Sequence, residues 1–202
     1  AYPKHCILAE ETGCINNSDT EVVWIIDPLD GTSNFVHGFP NYCIAIAVQR
    51  KGIIEHGVIY DPTRDELFTA SKGDGAQLNG QRLRVTNCMN LSQALLGGGL
   101  VHIADSSIMA NYMQAFRVLA QKSSIRLLGS AALNLAYVAA GRLDGFLATG
   151  LKIWDIAAGS ILIREAGGFV GDFSGEDNYL TTGEVITGTI KIYSELLKIL
   201  SH

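Results

Sequence analysis

Trp24-Ile25-Ile26-Asp27-Pro28-Leu29-Asp30-Gly31-Thr32-Ser33-Asn34-Phe35 reads as an apolar strand that ends in two carboxylates and turns into a helix start. Trp24 to Ile26 give the strand run, and Pro28 is expected to stop it, because proline has no N–H for a ladder and fixes its own φ. Asp27 and Asp30 then stand three residues apart at the strand's end. Gly31 permits a tight backbone, and Thr32, Ser33 and Asn34 are favoured helix starters. Carboxylates beside a helix N-terminus suit hard cations and an anion together, since the carboxylates hold metal and the free N–H groups hold phosphate. The plainer alternative is a solvated loop, because Asp-Pro and Asp-Gly are common turn dipeptides. A covalent phosphoaspartyl site is the other rival. It wants a second carboxylate two residues after the first, but Pro28 stands two before Asp30, so the spacing favours metal-activated water.

Working outward, His5 to Ala9 is a short apolar strand closed by Glu10 and Glu11. These two are either a charged strand end in water or a source of one more metal ligand beside Asp27 and Asp30. The turn-rich segment from Thr12 to Thr20 would let the strand ending at Glu10 run beside the one ending at Asp27. From Tyr42 to Arg84, β-runs alternate with Lys51-Gly52, Asp61-Pro62, Gly73-Asp74-Gly75 and Asn79-Gly80 turns, which predicts an antiparallel meander. His37 and His56 have no partner at ligand spacing and read as structural.

Leu95 to Leu100 holds three consecutive glycines without the spacing of a dinucleotide loop. Ser107 to Gln121 reads as a helix with Ile108, Tyr112, Ala115, Phe116 and Leu119 on its core face. A strand is expected over Ile125 to Leu128. Ser130 then caps a small-residue helix running to Ala140, ended by Gly141. Leu143 to Leu147 reads as a strand containing Asp144, which has no identifiable partner. Trp154-Asp155-Ile156-Ala157-Ala158-Gly159 places Asp155 as the N-cap of an apolar helix, at a strand-to-helix switch where α/β sheets collect ligand groups. Two short strands, Phe169 to Phe173 and Val185 to Thr187, and a helix near Tyr193 to Leu200 complete the chain.

With 202 residues, 48% of them hydrophobic, the chain can bury one substantial core or two small ones. A net charge of −5 with no basic run argues against a nucleic-acid surface as its main business. No apolar run is long enough to span a bilayer. Cys6, Cys14, Cys43 and Cys88 show no C-x-x-C pair, which fits a reduced, cytoplasmic protein. The opening Ala1-Tyr2-Pro3-Lys4 enters an apolar run at once and reads like a domain entered partway through.

Taken together, A-E-E-T-G from Ala9, W-I-I-D-P-L-D-G-T-S-N-F, G-S-A-A-L-N-L-A-Y-V-A-A-G-R-L-D-G from Gly129, and W-D-I-A-A-G from Trp154 resemble the inositol monophosphatase family, nearest its bacterial inositol-1-monophosphatase type. The resemblance implies a mixed α/β (α+β) fold layered α-β-α-β-α, with an N-terminal metal-binding subdomain over 1–120 and a C-terminal α/β subdomain over 121–202. It implies two or three Mg²⁺ ions held by Glu10, Asp27, Asp30, Asp155 and the carbonyl of Leu29, with Thr32, Asp30 and Glu10 serving catalysis. Asp30, Gly31, Thr32, Ala131 and Asp155 would hold substrate, a small phosphate monoester, most simply inositol-1-phosphate. Lithium sensitivity and a homodimer are further family expectations. Sequence departures accompany the resemblance. The two N-terminal helices of the family are not in this sequence, Ala9 replaces a glycine, and Ala148 stands six residues before Trp154 where the family carries a glutamate that binds the inositol ring. The last change keeps a sugar, histidinol or nucleotide 3′-phosphatase open as an alternative. Regulatory partners in transcription antitermination are an alternative of another class.

Overall fold

The computed structural model describes residues 2–15, 19–99 and 106–200. The first sheet contains β1 (His5–Ala9), β2 (Gly13–Ile15), β3 (Asp19–Asp30), β4 (Cys43–Arg50), β5 (Ile53–Asp61), β6 (Glu66–Ser71), β7 (Gly75–Leu78) and β8 (Gln81–Arg82), in the order β2-β1-β3-β4-β5-β6-β7-β8. From β4 onward it is the expected antiparallel meander, and β3 adds to it by pairing antiparallel with β4. Strand β1 runs parallel to β3, with Ala9 beside Ile26, as the turn-rich segment between them implies. Residues 16–18 of that segment lie outside the described residues.

The second sheet is mixed. It contains β9 (Leu95–Gly99), β10 (Ser124–Leu127), β11 (Gly145–Ala148), β12 (Phe169–Gly171) and β13 (Val185–Gly188), in the order β10-β9-β11-β13-β12. The glycine triplet therefore forms a strand, parallel to both β10 and β11. Glycine is a poor strand former by propensity, and here its lack of a side chain is what the packing uses.

Among the described residues, six α-helices join these sheets: α1 (Thr32–Val36), α2 (Ser106–Ala120), α3 (Ala131–Ala139), α4 (Ile153–Glu165), α5 (Tyr179–Thr182) and α6 (Ile190–Leu200). The pair α3 and α4 is packed between the two sheets, while α2 and α6 cover the far face of the second. The described residues thus supply four layers, sheet, helix pair, sheet, helix pair, of the expected α-β-α-β-α stack. Both middle helices are buried all round, Ala132 to Ala139 in α3 and Ile156 to Ile163 in α4. A helix apolar on every side belongs inside a core. Small residues let the layers close: a Cβ on Gly57 of β5 would stand 2.6 Å from Ile161 Cγ2 and 2.7 Å from the Ala158 carbonyl. Helix α2 buries Tyr112, Ala115 and Leu119 as its periodicity predicts. The side chain of Ile108 lies outside the described residues.

Several local expectations need correction. Strand β3 does not stop at Pro28 but continues to Asp30. Asp27 pairs with Ala45 and Asp30 with Cys43, so Pro28 and Leu29 together oppose Ile44 in a β-bulge. A bulge leaves its extra residue unpaired, which is a position proline tolerates. Helix α4 begins at Ile153, with Lys152 as N-cap, so Asp155 is its third residue rather than its cap. Asp144 precedes β11 and has partners, accepting from Thr86 Oγ1 at 2.7 Å and from the Leu95 amide at 2.7 Å.

Candidate active site

The bulge decides the geometry of the site. In a regular strand, residues three apart face opposite sides. One extra residue between Asp27 and Asp30 turns both carboxylates to the same side, and both are buried. Asp155 reaches them from the first turn of α4. Carboxylate oxygens of Asp27, Asp30 and Asp155 all lie within 4.8 Å of one another.

Each carboxylate is held. Asp27 Oδ1 accepts the Leu29 amide at 2.9 Å within the bulge. Asp155 Oδ2 accepts the Lys152 amide at 2.7 Å, the N3-to-N-cap half of a capping box. Asp30 Oδ2 accepts the Ser130 hydroxyl, the Ala132 amide at 2.8 Å and the Cys43 thiol at 3.7 Å. Ser130 is the N-cap of α3 as expected, and its oxygen also accepts the Leu133 amide at 3.2 Å. One hydroxyl therefore fixes the helix start to a carboxylate on the other sheet.

Holding three carboxylates together in the interior is unfavourable for their charges. Burial, then the neighbouring Asp30, pushes Asp27 up to about 8. Burial pushes Asp155 up to about 7, with Asp30 and Glu10 adding to the rise and the Lys152 amide opposing it. Asp30 is raised by burial against the pull of its donors. A divalent cation bonded by oxygen donors would remove that penalty, and carboxylate and carbonyl oxygens are what Mg²⁺ prefers. The donor set fits the ion.

Glu10 follows the end of β1, with its amide donating to the Ile26 carbonyl at 3.3 Å. It is exposed and stands outside the 4.8 Å set, yet its charge contributes to the rise of both Asp27 and Asp155. Gly31 has φ 91° and ψ 35° and opens α1, a helix of only five residues. A Cβ there would stand 3.0 Å from the Asn41 carbonyl, so this position requires glycine twice over. Thr32 Oγ1 donates to the Leu29 carbonyl at 2.9 Å. Ala131 lies at the start of α3, on the wall of a cavity of about 290 Å³ that Asp30 and Asp155 also line.

The sequence reading missed Asn34, Asn41 and Cys43 as site supports. Asn34 Nδ2 donates to the Asn41 carbonyl at 2.7 Å and to the Leu128 carbonyl at 2.8 Å, and Asn41 Nδ2 donates to Leu128 at 3.0 Å. These bonds tie the loop after Asp30 to the end of the second sheet. Only the buried, turn-forming character of Asn41 could have signalled this. The two histidines read as structural are on ordinary partners, His37 Nδ1 on the Ser33 carbonyl at 2.8 Å and His56 Nδ1 near Ser71 Oγ at 2.9 Å.

An oxygen-only carboxylate cluster at a strand bulge, faced by two helix starts between two sheets, is a donor set suited to a divalent cation. A sequence profile of the inositol monophosphatase family matches residues 1–201. The chain belongs to that family. It is 49% identical over 202 residues to a Pseudomonas aeruginosa protein named Nus factor SuhB, covering 98% of this chain and 74% of that one. It is also 49% identical over 199 residues to an inositol-1-monophosphatase of Mesorhizobium japonicum, with the same coverages. The crystal structure of the extragenic suppressor protein suhB of Bartonella henselae superposes with a TM-score of 0.94 at 42% identity, covering 98% of this chain and 78% of that one.

Proposed function

We propose that this chain hydrolyses small phosphate monoesters, most simply inositol-1-phosphate, at the Asp27–Asp30–Asp155 cluster with Mg²⁺. The observation that carries this reading is the bulge that aims two buried carboxylates at a third. Asp27, Asp30 and Asp155, with Glu10 and the Leu29 carbonyl, would hold two or three ions. Bound there, Mg²⁺ supplies positive charge that offsets the phosphate dianion and acidifies a water. Thr32 spends its proton on the Leu29 carbonyl, so its oxygen lone pairs remain to accept from that water and orient it. The amides after Gly31 are first-turn donors without helical partners and suit the phosphate oxygens. Ala131 and Asp155 border the space for the alcohol. Ala148 offers no carboxylate to a ring hydroxyl, so inositol-1-phosphate is held less firmly than a glutamate there would hold it.

The test is release of inorganic phosphate from inositol-1-phosphate with Mg²⁺, against the same protein in excess chelator. Metal-dependent turnover supports the reading, and metal-independent or absent turnover with every monoester tried removes it. Lithium inhibition and a homodimer belong to the same proposal. So does a cytoplasmic location, which the buried thiols of Cys6 and Cys43 suit. A second reading comes from the Nus factor name of the Pseudomonas relative, namely a role in transcription antitermination. That role would survive Asp30→Asn in cells while hydrolysis would not.

A further inference from the structure

We propose that Asn34 and Asn41 are positioning residues for the hydrolysis: their side-chain amides clamp the Leu128 carbonyl and so fix the Gly31–Thr32 turn of the first sheet against the Ser130–Ala131 turn of the second. This rests on the phosphatase reading and deepens it, by naming what holds Thr32 where it can orient water.

The Gly31–Thr32 turn needs such a device. It opens α1, a helix of five residues of which none is buried. A helix that short gains little from its own hydrogen bonds and is normally held by an apolar face. Here Phe35 and Val36 are exposed, and the ring of Phe35 only meets Tyr42 edge-on, 5.1 Å between centroids. The neighbouring carboxylates are held by other means, Asp27 by the Leu29 amide, Asp30 by Ser130 and the Ala132 amide, Asp155 by the Lys152 amide. None of those bonds reaches past Asp30 into the turn.

The asparagines do. Asn34 lies in α1 itself, and its Nδ2 donates to the Leu128 carbonyl at 2.8 Å and to the Asn41 carbonyl at 2.7 Å, so both of its protons are used. Asn41 is 3% exposed and donates its own Nδ2 to the same Leu128 oxygen at 3.0 Å. Leu128 leads directly into Gly129, Ser130 and Ala131, which border the cavity beside Asp30 and Asp155. Gly129 makes room for the clamp, since a Cβ there would stand 2.9 Å from Asn34 Nδ2. The Asn41 carbonyl that Asn34 holds is the same oxygen that stands 3.0 Å from the Cβ position of Gly31, so it supports the turn directly. The loop is also anchored from the β5–β6 turn. Arg64, paired with the buried Asp61 at 2.7 Å, donates to the Pro40 carbonyl at 3.3 Å. Releasing buried amide-to-carbonyl bonds leaves orphaned polar groups, so the two turns are held as one unit. Displacing a reacting group by about 1 Å can lower a rate by about 10²-fold.

The experiment measures kcat and KM for inositol-1-phosphate with Mg²⁺, and Mn²⁺ binding by electron paramagnetic resonance. It uses the wild type, Asn34→Ala, Asn41→Ala, Thr32→Ala and the double variants of each asparagine with Thr32→Ala. Asn34→Ala should lower kcat by about 10–100-fold, with KM within about threefold of the wild type and Mn²⁺ stoichiometry unchanged. Asn41→Ala removes a single bond to Leu128 and should lower kcat by about three- to tenfold. In the Thr32→Ala background each asparagine change should lower kcat by less than about threefold further, because a clamp that acts through Thr32 has little left to position. A merely structural role would lower ion binding and turnover together and act equally in both backgrounds. If Asn34→Ala fails to fold, Asn41→Ala and its double variant carry the test. Turnover within about twofold of the wild type in both asparagine variants overturns the inference. So does a loss that tracks loss of Mn²⁺, or an undiminished effect in the Thr32→Ala background. Each of these leaves the phosphatase reading standing. A wild-type protein that hydrolyses no monoester overturns both.

Discussion

Ser130→Ala removes a hydroxyl that does two tasks at once, so its effect should exceed that of an ordinary buried serine. The oxygen caps α3, and losing a serine cap is worth about 1 kcal/mol. The hydroxyl also donates to Asp30 Oδ2, a bond to a charged acceptor worth about 1.5–3 kcal/mol. The two losses together predict a destabilisation of roughly 2–4 kcal/mol. For a domain of this size each kcal/mol moves the melting temperature by about 2–4 °C, so a fall of roughly 4–16 °C is expected. Ser160→Ala is the matched control. Ser160 is as deeply buried, but its hydroxyl donates only to the Ala157 carbonyl of its own helix at 2.8 Å. Its removal orphans no other group, and a shift below about 2 °C is expected. Both variants are melted by circular dichroism in chelator and again in saturating Mg²⁺. Equal shifts for the two would refute the idea that Ser130 couples the helix start to the carboxylate cluster.

Further outcomes follow from the same geometry. Asp27 and Asp155 are raised to about 8 and about 7, so the folded, metal-free protein holds their protons more tightly than the unfolded chain does. Their contribution to stability is therefore greatest at low pH and is lost as pH climbs from about 4 through 8; melting in chelator should show a decline between pH 5.5 and 8.5 that saturating Mg²⁺ abolishes. Gly31→Ala forces a side chain onto φ 91° and against the Asn41 carbonyl, which should cost about 1–3 kcal/mol in denaturant titrations and displace Thr32, lowering turnover more than ten-fold by rough reckoning. Glu165→Ala removes the acceptor of the Gly73 and Gly75 amides, at 2.9 and 2.8 Å, far from the carboxylates. It should lower stability by about 1–2 kcal/mol and leave kcat unchanged.

The legible parts of this chain were those with a period or a punctuated turn. The meander from Cys43 to Leu78 announced itself by alternation and by Asn-Gly and Gly-x-Gly turns, and α3 by a serine cap before alanines. The carboxylates were found because each stands beside an element boundary. What stayed hidden was non-local. Nothing within Asp27-Pro28-Leu29-Asp30 states that a bulge rather than a strand end puts both side chains on one face, since that depends on pairing with Cys43 and Ala45. Asp155 looked like a cap because a capping residue and the third residue of a helix draw on the same residue types. The glycine triplet carried no strand signal at all. Its strand state is imposed by β10 and β11, and by the ring of Phe146 beneath it. Asp144 likewise found its partners in Thr86 and Leu95, more than forty residues away by rough count.

The most direct test of the central claim counts metal at the cluster. Mn²⁺ replaces Mg²⁺ readily at oxygen sites and its free fraction is read by electron paramagnetic resonance. Titrating the wild-type chain, Asp30→Asn and Asp155→Asn at pH 7.5, with phosphate release measured on the same samples, should show tight Mn²⁺ binding in the wild type. Each variant should lose at least one ion and nearly all turnover together. Unchanged Mn²⁺ binding in both variants, or turnover that persists after the ions are lost, would contradict the assignment of Asp27, Asp30 and Asp155 as the metal centre.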